Sequence, residues 1–193
     1  CLQIEDHAFY ILTFPTANAT WLYDLTTGWW GELGKWDSNA NIYNRYRANC
    51  CMLAFGLNLI GDYSTGNIYS LNPDVFTDGG DVISWERWFP HLIGSEYERV
   101  IHKSLSLNME VGTTYQVNEN DPPPVVNLSW SDDKGKTFGF PVEQSLGDLG
   151  EYLTDPQWNR LGMARDRVYK VQWSGNVKTA LNCAYLEVKP LRS

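Results

Sequence analysis

A short turn that recurs along this chain constrains its fold more than any other feature. In residues 24–28, 62–66 and 131–135, a short polar side chain stands four residues before a glycine. An aromatic residue follows two or three positions later, as Trp30, Tyr69 and Phe138. Asp or Ser in the first position closes such a turn by accepting hydrogen bonds from nearby backbone N–H groups, and the glycine supplies positive φ. Between the turns lie apolar runs rich in β-branched and aromatic residues, at 9–14, 20–24, 29–33, 50–56, 57–62 and 67–71. Such runs favour half-buried pleated surface. A chain built this way reverses every few residues, which is antiparallel β-structure. The first two turns are 38 residues apart, close to the spacing of one four-stranded propeller blade, and the third follows 69 residues later.

The pattern continues downstream. Residues 83–90 alternate and end in Pro90. Residues 100–111 form the longest strand candidate, with Ile101, Lys103, Leu105, Leu107, Met109 and Val111 on one face. A boundary before it divides the chain into blades at 1–94 and a C-terminal β region at 95–193. Pro122, Pro123 and Pro124 form a stiff connector into the apolar run 125–128. A Gly-punctuated loop covers 145–152. A last hairpin is expected from strands 168–173 and 179–188, joined around Gly175 and Asn176. No amphipathic helix of ten residues is present in the pattern. The fold class is therefore all-β, with β-propeller-like antiparallel blades and a C-terminal part that also fits a β-sandwich.

Composition narrows the function. The chain is 43% apolar and 20% charged, with nine Trp, eleven Tyr and seven Phe, which is globular and aromatic-rich. A formal charge of −8 argues against gripping a nucleic-acid backbone. No run approaches the length of a membrane span. The sequence opens without an initiator Met or a signal peptide, in the pattern of a strand interior, so it is expected to continue upstream. Cys1, Cys50, Cys51 and Cys183 have no metal-ligand spacing and are expected to be buried free thiols, suited to a reducing cytosol. No Gly-rich phosphate loop opens a helix, so no nucleotide or other cofactor is expected.

Within the third turn, Ser131, Asp133, Gly135, Thr137 and Phe138 match the order Ser-x-Asp-x-Gly-x-Thr-Phe. It resembles the Asp-box of β-propellers, sialidases among them, where the Asp ties the turn and the aromatic packs beneath it, away from the catalytic centre. A wider resemblance rests on pieces in fixed order: residues 14–15, 20–24, 45–47, 61–62, 66–69, 130–133, 145–147, 150–152, 160–162 and 164–167. Together they resemble the packaged-DNA stabilisation proteins of short-tailed phages, also called tail hub or head-completion proteins, from about Phe9 to Val188. The resemblance implies a propeller-like virion subunit, homo-oligomeric at full length. It would form a ring below the portal protein, retain packaged DNA, and offer attachment to tail needle and tailspike proteins. It also implies host cytoplasm during assembly, no sequence-specific nucleic-acid binding and no membrane. Members of that family are longer, which puts further blades upstream.

Each candidate site has a plainer counterpart. Asp132 and Asp133 could be a metal or acid/base pair, but adjacent strand residues point apart and turn formation accounts for both; calcium held by the loop oxygens is the lesser alternative. Arg160, Arg165, Asp166 and Arg167 with Glu151 form the densest charge group, read either as a subunit interface or as intramolecular ion pairs. His7, His91 and His102 stand far apart and suggest no catalytic arrangement. Trp29, Trp30, Trp85 and Trp88 are expected to serve packing before any carbohydrate or partner platform. The resulting expectation is a non-enzymatic virion adaptor. The alternative is a sialidase-like glycosidase or carbohydrate-binding propeller, drawing on the Asp-box and on Arg45, Arg87 and Arg99.

Overall fold

A computed structural model describes residues 2–4, 6–37, 39–112, 124–147 and 150–191. Among these, every ladder is antiparallel and there is no helix, so no helix is long and apolar enough to cross a membrane. The fold is all-β, as expected. It divides into two compact units, Cys1–Ile83 and Ser84–Ser193.

The N-terminal unit is a pair of meanders. Strands β1 (Leu2–Ile4), β2 (His7–Phe14), β3 (Ala19–Asp24), β4 (Trp29–Asp37) and β5 (Ile42–Arg45) form one sheet in sequence order. The long β4 pairs with β3 through its first half and with β5 through its second. Strands β6 (Ala48–Ala54), β7 (Leu57–Asp62) and β8 (Ile68–Leu71) form the second meander, and β9 (Thr77–Asp78) and β10 (Asp81–Val82) a short hairpin. The turns at 24–28 and 62–66 make the β3–β4 and β7–β8 reversals. Among the described residues, only Leu2, Ala48 and Ile60 are buried hydrophobics here. The β6–β7 tip carries exposed Met52, Leu53, Phe55 and Leu57, with Phe55 at φ 56°, a left-handed conformation costly for a bulky residue.

The C-terminal unit is two sheets closed on one core. In the first, β18 (Asp166–Ser174) is central. It is flanked on one side by β11 (Ser84–Trp88) and β12 (Leu92–Ile93), and on the other by β14 (Val125–Ser131), with β15 (Val142–Ser145) outermost. In the second, β13 (Val100–Glu110) pairs with β19 (Ala180–Pro190) on one edge and with β16 (Gln157–Asn159) and β17 (Met163–Ala164) on the other. Leu105, Leu107 and Met109 of β13 meet Val126 and Leu128 of β14 and Tyr169, Val171 and Trp173 of β18 across the interior. Alternation along each strand puts these residues on the inner faces.

Several expectations change. The units divide at Ile83/Ser84 rather than at 94/95, because β11 and β12 pair with β18 and so belong to the second unit. Strands 168–173 and 179–188 are not a hairpin: β18 and β19 belong to different sheets, and the turn between them passes from one to the other. On β13, Lys103 does not share the face of Leu105. A register shift between His102 and Ser104, opposite Val188 and Glu187, bulges Lys103 outward and turns His102 inward. Cys50 and Cys183 are exposed and Cys51 half-buried, against the expectation of burial. Cys1, Pro122, Pro123, Asp148 and Leu149 lie outside the described residues.

Candidate functional site

The loop after β14 is tied together by its own polar side chains. Ser131 Oγ donates to Asp133 Oδ1 at 2.6 Å and accepts the Gly135 N–H at 2.8 Å. Asp133 Oδ1 also accepts the N–H groups of Lys136 and Thr137, and its Oδ2 accepts the Thr137 hydroxyl at 2.6 Å. These bonds, those of Ser131 and Thr137 foremost, hold the Asp133 carboxyl well below the usual carboxylate range. Gly135 completes the turn at φ 81°. Phe138 then folds back to meet Trp88 edge-on, with ring centroids 4.8 Å apart, and lies over the Lys170 ammonium.

The two N-terminal turns repeat this chemistry with a single Asp each. Asp24 accepts the Thr26 N–H and the Thr27 hydroxyl, and His7 Nδ1 lies 2.8 Å from its Oδ2. Burial raises the Asp24 pKa, but these bonds outweigh it and lower it to about 2. Asp62 accepts both the N–H and the hydroxyl of Ser64 and is likewise lowered to about 2, chiefly by the backbone bond.

Asp132 and Asp133 point apart. Asp133 closes the turn, whereas Asp132 continues the inward parity of Val126, Leu128 and Trp130. Across the ladder, Trp130 stands opposite Tyr169, so the next inward position on β18 is Arg167. Arg167 Nε and Nη2 meet the two Asp132 oxygens at 2.6 and 2.8 Å, and its Nη1 donates to the Leu161 carbonyl. The guanidinium, 2% exposed, lies 5.5 Å from the Trp130 ring and 5.8 Å from that of Tyr169. Burial works against the Arg167 charge, and the Asp132 bonds more than offset it, so its pKa rises. Tyr169, whose ring lies beside the guanidinium, places its hydroxyl 3.0 Å from His102 Nδ1 on the facing sheet. Burial, reinforced by the Arg167 charge, lowers the His102 pKa to about 4 and keeps the ring neutral. This buried polar cluster joins the two sheets of the unit.

The N-terminal unit has a buried guanidinium of its own. Arg47 Nε is 2.6 Å from Asp78 Oδ1, off the line of the N–H, so the contact is an ion pair and not a hydrogen bond. Its Nη2 donates to the Asp78 carbonyl, Asp62 and Asp81 stand 3.5 and 3.9 Å away, and the Tyr69 ring centroid is 5.0 Å from its guanidinium carbon. A side chain at Gly79 would collide with this guanidinium, its Cβ falling 2.6 Å from Nη1. Beside the cluster, burial and the Asp78 charge push the Tyr46 hydroxyl up to about 12.

Three of the five residues expected at an interface are held by other residues of the same unit. Arg167 binds Asp132, Asp166 pairs with His91 at 2.7 Å, and Arg165 donates to the Tyr97 carbonyl. Arg167 and Asp166 are buried within their unit. Arg160 and Glu151 are exposed, Arg160 in a left-handed conformation at φ 59°. Of the arginines in the glycosidase alternative, Arg45 sits in the N-terminal unit over Tyr63, and Arg87 and Arg99 in the other unit. Trp85 stacks on Trp173 beside the core, whereas Trp29, Trp30 and Trp88 are exposed. No group of His, Cys, Asp and Glu among the described residues could hold a metal ion. The sequence reading missed the Arg167–Asp132 pair, yet the signal was present: both continue the inward parity of an apolar strand.

Residues 84–189, more than half of the chain and nearly all of its second unit, match the family model described as bacteriophage P22 Gp10, β-sandwich. No curated protein matches the chain.

Proposed function

The chain belongs to the bacteriophage P22 Gp10 β-sandwich family and is a structural protein of the phage virion, and from that premise we propose that it is a tail hub subunit assembling as a ring below the portal. In this role it retains packaged DNA and offers attachment to the tail needle and tailspikes, after assembly in the host cytoplasm. The carrying observation is the coincidence of the family match with one complete, well-packed unit. Retention by blocking exit suits a chain of charge −8, which repels the DNA backbone instead of holding it. The role read from the structural family is non-enzymatic, and the Asp-box side chains serve the turn.

Proteomics of purified, DNA-filled particles tests the reading. Peptides of this chain at fixed stoichiometry to the portal are expected. Absence from intact particles would overturn it, and hydrolysis of a fluorogenic sialoside, lost in Arg45→Ala or Arg87→Ala, would put the glycosidase in its place.

A further inference from the structure

Beside the Asp-box lies an open groove of about 680 Å³, lined by Tyr97, Arg99, Lys134, Lys136, Met163 and Arg165, with Asp132, Asp133 and Asp166 in its wall. All three carboxylates are engaged. Asp132 is clasped by Arg167, Asp133 is spent on the turn, and Asp166 pairs with His91. The cations are not balanced in the same way. Arg165 is tied to the Tyr97 carbonyl, but Arg99, Lys134 and Lys136 have no acidic partner among the described residues. The wall thus presents three uncommitted positive charges beside carboxylates already engaged by neighbouring groups. Lys134, at φ 67°, and Lys136 flank a loop fixed by the Asp133 bonds, so binding to them orders little that is not already ordered.

We propose that this groove binds an acidic segment of another protein, its carboxylates meeting Arg99, Lys134 and Lys136. Half-exposed Tyr97 and Met163 offer apolar surface to the methylenes and intervening residues of such a segment. A DNA strand fits less well. It carries a charge about every 3.4 Å, so phosphates would fall against the wall carboxylates, on a chain of charge −8. The inference stands on this groove's geometry and charge and does not depend on the virion role.

The test is fluorescence anisotropy of the full chain with a labelled peptide of alternating Glu and Leu. Saturable binding weakened by salt is expected. It should fall at least tenfold in Lys134→Gln/Lys136→Gln, fall further when Arg99→Gln is added, and hold in Lys103→Gln, whose ammonium pairs with Glu187 of the neighbouring strand and does not line the groove. Equal melting temperatures establish that these variants fold. No binding by the wild type, equal loss in Lys103→Gln, or stronger competition by an oligonucleotide or a sialylated sugar than by unlabelled peptide would each overturn the proposal.

Discussion

Each unit of this protein is organised around one buried arginine, and the two arginines are stabilised in opposite ways. Arg167 stands beside a continuous apolar core, meets one carboxylate through two bonds, and lies near the rings of Trp130 and Tyr169. Arg47 is drawn among three carboxylates in a unit with three buried hydrophobic residues, while Trp29, Trp30, Leu53 and Phe55 of that unit are exposed. The charges differ too: the N-terminal unit has three Lys and Arg against nine Asp and Glu, the C-terminal unit twelve against fourteen. The second unit is held by apolar burial, with a polar cluster joining its sheets. The first depends on local turns and a cation shared among acids, and it has little core to fall back on.

The largest expected effect tests this contrast directly. Leu107→Ala, within the C-terminal core, should cost about 4 kcal/mol, and Ile60→Ala, with fewer buried neighbours, about 2 kcal/mol. Urea unfolding followed by core Trp fluorescence should show the first only in the later of two transitions. A single transition shifted equally by both would erase the distinction between the units.

Asp132→Ala leaves Arg167 buried without its carboxylate. Asp132 is half exposed, so the cost falls at the low end for an orphaned ion, about 2 to 3 kcal/mol, whereas Asp81→Ala should cost less than about 0.5 kcal/mol because Arg47 keeps two other acids. Similar values for both would mean that the number of partners does not matter.

Protonation gives the next test. His102 is lowered to about 4 in the fold and takes its proton near 6.5 when unfolded. Between those values the unfolded state binds more protons, so stability is lost as pH falls through that window, by at most ~1.4 kcal/mol per pH unit. The depressed carboxylates Asp24 and Asp62 add acid sensitivity only as pH falls below their ordinary range, toward 2. The C-terminal transition should therefore weaken first on mild acidification, and His102→Gln should flatten that slope; an unchanged slope would remove His102 from the account. The smallest effect expected within the second unit is that of Ser131→Ala, about 1 kcal/mol for its buried hydrogen bonds. Limited proteolysis should find the 132–141 loop more readily cut.

What the sequence made legible was local. The turns at Asp24, Asp62 and Ser131 could be read because donor, acceptor and glycine lie within a few residues of one another. The strands at 57–62, 100–110 and 125–131 followed from β-rich runs with the same reach. Partnership was not legible. Strands β18 and β19 look like a hairpin by spacing, but the sheet each joins is decided by residues far along the chain: Val126 and Leu128 for β18, Leu105 and Leu107 for β19. The charge group at 160–167 dispersed for the same reason, since Asp132 and His91 approach it only after folding. The groove draws on three separated segments, 97–99, 132–136 and 163–166, and has no sequence signature.

The bulge at Lys103 acts as a phase slip. Before it, β13 presents its residues to the core in one parity, and after it in the other, so two reading frames of inside and outside meet within one strand. Deleting Lys103 would remove the slip and force a choice, either His102 out of its bond with Tyr169 or the run from Leu105 to Met109 out of the core. That one outward-facing lysine is therefore a spacer whose presence matters more than its side chain, and Lys103 should accept almost any substitution while tolerating no deletion.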